Sequence, residues 1–338
     1  MVYAVTSSLL DTLDTARGRR LQWRNVWRTA DTPHPALRPM PVYPQSEREA
    51  NAHYNPGHGL HFGAFPAPAD NDGGLFPGQM VYGWLSHDIV NHETTHAFIH
   101  ELRPLSLEPT GPDALAFHEG FADIIAILQH FRLPGLLETQ IARTGTALWE
   151  PGPFVELAGE FGRGAGRGGA IRRALDDSTH PRRYDEFTEP HQRGAVLVAA
   201  FFDAFFAAYR YRIADLVRLA GLSGAGTPGQ ALPQDLVSRV ANEARTAAAM
   251  VLTMAVRAFD YLPPANSTFA DFLDAVVTAD TDLFPEDRDG FRPAPHLGSS
   301  SPRPLRPAEP HLSGAPPAPR RRHPARQRLE GRAPQMGT

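Results

Sequence analysis

The segment NHETTHAFIHE, residues 91–101, carries two histidines four residues apart, with a glutamate directly after the first. On an α-helix His92 and His96 share one face, so two imidazole nitrogens can bind a single ion. Glu93 is turned about 100° from His92, where it can hold a water without binding the metal. The spacing therefore predicts a zinc-binding helix with a general base beside the metal.

A catalytic zinc needs a third protein ligand. His100 is unsuitable because, eight residues after His92, it lies about 12 Å further along the helix axis. Glu119 is the better candidate, and Asp123 follows it by one helical turn, so the two carboxylates face the same way. One can bind the metal while the other accepts the free N–H of a ligand histidine. The apolar neighbours of this pair favour buried, partnered carboxylates over a solvated acidic stripe.

Hydrophobic periodicity predicts a short β-rich part followed by a mainly helical one, that is, an α+β fold. Residues 51–65 read as two strands around an Asn-Pro-Gly turn, and residues 1–50 as an extension or linker. Candidate helices lie near 87–102, 112–131, 137–145, 194–213, 234–261 and 268–280. On the first of these helices, Ser86 is the expected cap and Glu101 is expected to face solvent.

Composition limits the classes of function. Residues 291–338 contain 11 prolines and 9 arginines against 2 acidic residues, which predicts a disordered tail. The rest of the chain is acidic, so nucleic-acid binding is not expected as its main role. Cysteine is absent, which excludes disulfides and a cysteine nucleophile. No signal peptide or membrane-spanning run is recognisable, which favours a cytoplasmic protein. Oligomeric state is not indicated.

The metal segments DIVNHETTH and HEGFAD resemble those of the thermolysin-like gluzincin zinc metallopeptidases, D-hydrophobic-hydrophobic-x-HExxH and then NExxxD. NAHYNPGHGLHFG is similar to the strand with which that family binds peptides, and Asn51, Ala52 and Tyr54 carry the match. DEFTEPHQRGAV is similar to the segment with the family's second catalytic histidine, and His191 and Glu186 fit it. The resemblance covers roughly residues 50–285.

This resemblance implies a zincin fold over residues 51–290, with a cleft between a short β lobe (51–110, including the active-site helix) and a helical lobe (111–290). It implies one catalytic Zn²⁺, a peptide or protein substrate, and hydrolysis by a metal-activated water. The implied ligands are His92, His96 and Glu119, with Glu93 as general base. His191 would donate to the oxyanion and be oriented by Glu186 or Asp185, and Asp123 would orient a ligand histidine.

Three departures from the family pattern limit what is carried over. His118 stands where the family has asparagine before the third ligand, and no tyrosine lies between His96 and Glu119. The acidic cluster of the family's double calcium site is missing from residues 124–137, so no calcium pair of that type is predicted. Two other readings stay open: a catalytically inactive zincin scaffold that binds peptide or metal, and an aminopeptidase-type gluzincin, whose G-x-M-E-N signature is not found.

Overall fold

A computed structural model describes residues 1–21, 40–69, 75–108, 110–150, 152–157, 172–173, 184, 186–222 and 232–287. The predicted tail at 291–338 and Asp185 lie outside the described residues. The helices are α1 (Val2–Arg17), α2 (His87–Leu102), α3 (Pro112–His130), α4 (Leu136–Thr144), α5 (Pro190–Leu222), α6 (Gln234–Arg257) and α7 (Phe269–Leu283). The strands are β1 (Val42–Glu47), β2 (Ala52–Asn55), β3 (Gly59–Pro66), β4 (Met80–Tyr82), β5 (Glu156–Leu157) and β6 (Arg172–Arg173).

The larger sheet is built around β3. Strand β1 pairs with β3 in parallel, while β2 and β4 pair with it antiparallel, and β2 is joined to β3 by the predicted Asn-Pro-Gly turn. Among the described strands β2 pairs only with β3, so it lies at an edge of the sheet. Gly63 of β3 is required by a close approach: a Cβ there would lie 2.0 Å from the Glu49 carbonyl oxygen and 2.8 Å from that of Asn51. The chain leading into β2 is thereby held tightly against β3.

The helical part packs around α3, α5 and α6, whose facing side chains form the hydrophobic core. The phenylalanines of AAFFDAFFAAYR are core residues, as their helical spacing predicts: Phe201, Phe202, Phe205 and Phe206 are at most 2% exposed. The predicted helices all correspond to observed ones, but α5 is longer than expected and extends from 190 to 222. Residues Pro190–Gly221 are long and apolar enough to cross a membrane, but 72% of the most apolar 18-residue stretch is buried inside the protein, as in the core helix of a folded domain.

Residues 1–50 are predicted as an extension or linker, but residues 2–17 belong to the folded body. They form α1, which packs on α2 and α6 and buries Leu9 and Leu13 completely. Only four of its apolar residues are buried, Val2, Leu9, Leu13 and Ala16, and the helix ends at Gly18 in the left-handed conformation (φ 70°). The segment is short and polar outside this stripe, so only its tertiary contacts reveal that it belongs to the core.

Helix α2 lies at the centre of the fold and is covered by α1, α3 and the sheet. Ser86 caps it as predicted, its hydroxyl accepting from the Ile89 N–H at 3.4 Å. The hydroxyls of Thr94 and Thr95, fully buried, donate to carbonyls one turn back. Glu101 is only 6% exposed, so the expectation that it faces solvent is wrong. A helix buried on nearly every side has no solvated face to predict.

Candidate metal centre

Helices α2 and α3 run antiparallel with a line of polar side chains between them. His92 and His96 face each other with Nε2 atoms 3.0 Å apart. Glu119 closes the triangle: its Oε2 lies 3.3 Å from Nε2 of His92, and its Oε1 lies 3.6 Å from Nε2 of His96. The structure thus brings together the three predicted ligands, with one donor atom from each within 4.8 Å of the others. The remaining line of contacts fixes how each side chain is turned.

Two glycines allow the backbones of α3 and α5 to approach each other closely where the helices cross. A Cβ on Gly120 of α3 would lie 2.8 Å from the Gly194 carbonyl oxygen. A Cβ on Gly194 of α5 would lie 2.7 Å from the Ala116 oxygen and 3.2 Å from Cβ of Glu119. Since any side chain would separate the backbones, the crossing depends on both glycines. The close crossing brings the N-terminus of α5 next to Glu119.

A buried ion pair holds the same end of α5. The Arg193 guanidinium donates to Asp113 at 2.7 Å, and the two side chains are 7% and 5% exposed. Asp113 also accepts from the hydroxyl of Tyr184 and from the backbone N–H of Phe269, the first residue of α7. One carboxylate therefore ties together the N-terminal ends of α3, α5 and α7, which satisfies its charge in several directions.

The electrostatics of the triangle favour a cation. Burial raises the pKa of Glu119, but the imidazoles of His96, His92 and His191 lower it more, so the carboxyl pKa falls well below its usual range. Its buried Oε2 lies 3.3 Å from Nε2 of His92 and 3.3 Å from Nε2 of His191, but neither contact within the described residues has the geometry of a hydrogen bond. An ionised, buried oxygen of this kind needs a positive partner. Two imidazoles and one glutamate are a donor set that suits zinc and leaves a position open, so the residues fit the ion that the sequence predicted.

Hydrogen bonds orient both ligand histidines. Nδ1 of His92 lies 2.7 Å from Oδ1 of Asp123, so it donates to that carboxylate, and Nε2 is the nitrogen turned toward His96 and Glu119. Nδ1 of His96 lies 3.1 Å from Nδ1 of His118, whose Nε2 lies 2.7 Å from the Ser106 hydroxyl. Burial lowers the pKa of His118 to about 4, so this ring is neutral at neutral pH. His118, which stands where the family pattern has asparagine, is thus the partner of His96.

His191 reaches the site from the first turn of α5. Its Nε2 lies 3.3 Å from Oε2 of Glu119, and its side chain is 52% exposed. The partner of its Nδ1 is Glu189, at 2.7 Å. The prediction that Glu186 orients this ring is therefore wrong in this structure. Glu189 precedes the helix and also accepts from the Gln192 N–H, and this capping position directs its carboxylate toward His191.

The other predicted residues lie on α2 and at the edge strand β2. Glu93 is 6% exposed and follows His92 on α2. The edge-strand residues Asn51 and Ala52 lie at the start of β2, where the Asn51 side chain accepts from the Ala52 N–H. Tyr54 is turned toward α2, its hydroxyl 2.9 Å from Nδ1 of His100. Tyr54 therefore anchors the edge strand to α2 through its side chain, and His100 is its partner there.

One further group in the described part of the chain combines metal-capable side chains: His87, Asp88 and His130. Nε2 of His130 donates to Asp88, and its Nδ1 donates to the Pro153 carbonyl. Burial alone would lower the pKa of His130, but Asp88 and that carbonyl raise it above its usual value. Because both ring nitrogens donate, the group is an imidazolium–carboxylate pair that joins the start of α2 to the end of α3.

No protein-family model matches this chain, and comparison with curated proteins and with solved structures gives no match either. Sequence reasoning missed two residues near the site, Ser106 and Glu189. The second had a local signal, because a carboxylate directly before Pro190 is a typical helix start. Ser106 had none, since its contact with His118 depends on the turn that joins α2 to α3.

Proposed function

We propose that this chain is a zinc-dependent peptidase, most simply an endopeptidase, with a zincin-type active site between the sheet and the helical body. One observation carries the proposal: Nε2 of His92, Nε2 of His96 and the buried carboxylate of Glu119 converge, with one donor atom from each within 4.8 Å of the others. The donor set is that of a catalytic rather than a closed structural zinc site. His92, His96 and Glu119 would hold the ion.

When bound, Zn²⁺ would polarise the scissile carbonyl and lower the pKa of water in the site toward 7. Glu93, buried beside His92, would accept the water proton and pass it to the leaving amine. A carboxylate in that position has no role in metal storage or in simple peptide binding. Its presence therefore favours hydrolysis over a catalytically inactive scaffold.

His191 would serve the oxyanion. Its Nδ1 is held by Glu189, so Nε2 is the nitrogen turned into the site, beside Glu119. Because Nδ1 donates to the Glu189 carboxylate, Nε2 carries a proton only in the imidazolium form of the ring. In that form its N–H, directed at the developing negative charge, would stabilise the transition state more than the ground state. Its half-exposed position suits a group that meets a substrate from solvent.

The edge strand β2 would bind the substrate. An extended peptide can add to an exposed sheet edge through main-chain hydrogen bonds, which gives affinity with little dependence on side chains. The Tyr54–His100 contact holds β2 against α2. A peptide paired with the strand near Asn51 and Ala52 would then run alongside the metal-binding helix.

The test is cleavage of a quenched-peptide library by wild type and by E93Q, with zinc content measured in both. We expect cleavage by wild type alone and equal zinc in the two proteins. Equal cleavage by E93Q would remove Glu93 from the mechanism. Zinc binding with no cleavage by either protein would support a catalytically inactive peptide- or metal-binding scaffold. Release of single N-terminal residues only would support an aminopeptidase.

A further inference from the structure

We infer that His118 and Ser106 form a hydrogen-bonded chain that orients the ligand His96 and accepts its Nδ1 proton in the zinc-bound protein. The inference rests on the proposed function, because it takes Nε2 of His96 as a zinc ligand. His118 is 2% exposed, and its two ring nitrogens face one partner each: Nδ1 of His96 at 3.1 Å and the Ser106 hydroxyl at 2.7 Å.

The direction of each hydrogen bond follows from counting protons. A neutral imidazole carries one proton, and a metal on Nε2 of His96 leaves that proton on Nδ1. Nδ1 of His96 must then donate, so Nδ1 of His118 accepts and carries no proton. The proton of His118 therefore sits on Nε2, where it donates to the Ser106 oxygen. One assignment satisfies all three residues.

The opposite direction is incompatible with the metal. If Nδ1 of His118 donated to His96, the proton of His96 would move to Nε2. That nitrogen would then point its N–H at Nε2 of His92, 3.0 Å away, and occupy the metal's place. His118 therefore supports the zinc-binding tautomer of His96 only when its Nδ1 accepts. The Ser106 hydroxyl, in the turn after α2, can accept from Nε2 of His118 and so completes this arrangement.

The hydrogen-bonded chain from His96 through His118 to Ser106 is the counterpart of the Asp123 contact with His92, but it uses neutral groups. A carboxylate increases the basicity of its histidine and adds negative charge to the site, whereas an imidazole–hydroxyl chain adds none. With one carboxylate partner and one neutral partner for its two histidine ligands, the site is less negative than it would be with two carboxylate partners. His118 is a positioning residue and has no contact with substrate in this assignment.

The most direct test is ¹⁵N NMR of the zinc-loaded full-length protein, with the His118 ring assigned through an H118N sample. We expect an Nε2–H tautomer for His118 and an Nδ1–H tautomer for His96. The reverse tautomer at His118 would overturn the inference.

Zinc affinity, measured by competition with a chelator, provides the second test. Asparagine places its Oδ1 where histidine has Nδ1, so H118N keeps an acceptor for His96, while H118L removes it. We expect H118L to weaken zinc binding about 10- to 100-fold, the usual effect of losing such a partner, and H118N to stay within about threefold of wild type. S106A leaves the buried ring in place and should weaken binding by less than tenfold.

The outcomes separate the two levels of the proposal. A wild-type protein that binds no zinc would refute the proposed function and this inference together. Tight zinc binding by wild type and H118L alike would refute only the role of His118, and an H118N protein as weak as H118L would do the same. If H118L does not fold, the tautomer assignment still decides the matter, since it does not depend on that variant.

Discussion

The crossing of α3 and α5 at two glycines gives the sharpest stability prediction. A Cβ on Gly194 would lie 2.7 Å from the Ala116 oxygen and 2.9 Å from the Gly120 nitrogen. Both are backbone atoms of a helix and cannot rotate away. Ordinary contact begins at about 3.4 Å, so G194A requires the helices to separate by roughly 0.7 Å or to tilt.

The expected cost follows from that displacement. Overpacking a tightly packed interior costs about 1–3 kcal/mol, and contact with rigid backbone places this case near the upper end. The higher helix propensity of alanine returns about 1 kcal/mol. The net loss in the free energy of unfolding is then about 2 kcal/mol, which lowers the melting temperature by roughly 4–8 °C for a domain of this size.

Thermal unfolding followed by circular dichroism, with zinc removed, measures this directly. The matched control is G221A, which introduces the same methyl at an exposed position of the same helix and should leave the melting temperature unchanged or slightly raised. A G194A protein as stable as G221A would show that the helices do not cross as closely as described.

Three further predictions concern the site and its supports. D123N should weaken zinc binding about 10- to 100-fold by chelator competition, because His92 loses its charged acceptor; unchanged affinity would remove this contact from the account. H191N should lower kcat on a peptide substrate about 100-fold or more with little change in KM, and E189Q should lower it more than E186Q does; the reverse order would restore Glu186 as the orienting acid. Some histidines have a higher pKa in the folded protein than in the unfolded chain. Such a group stabilises the fold fully at pH values below about 6.5, and this contribution is lost as the pH rises through the folded-state pKa. Because His130 is such a group, the free energy of unfolding of wild type, measured in chelator and compared with H130Q, should decrease from about pH 6.5 upward, and a difference that grows with pH would contradict the ion pair.

The helices that carry the proposed metal ligands could be predicted because their signals are local. The i, i+4 spacing of His92 and His96, the cap at Ser86 and the proline at the start of α3 each depend on a few neighbouring residues. Placing Glu119 opposite the histidines took only the antiparallel return of a second helix after a short turn. These features survive without any knowledge of the rest of the chain.

What could not be predicted depends on packing between distant segments. Helix α1 is part of the core because α2 and α6 cover its short apolar stripe, a relation across most of the chain. His191 takes Glu189 as its partner because a helix cap directs that carboxylate, whereas the expected Glu186 came from a family spacing. The facing of His118 and His96 arises where two buried helices meet, and periodicity contains no information about it.

The proposed function depends on one zinc ion held by His92, His96 and Glu119. Anomalous X-ray diffraction at the zinc edge, on crystals of the full chain grown with one equivalent of zinc, tests it most directly. We predict a single strong peak about 2.0–2.3 Å from Nε2 of both histidines and from the glutamate carboxylate. No peak at that position, or a peak confined to the His87–Asp88–His130 cluster, would contradict the claim.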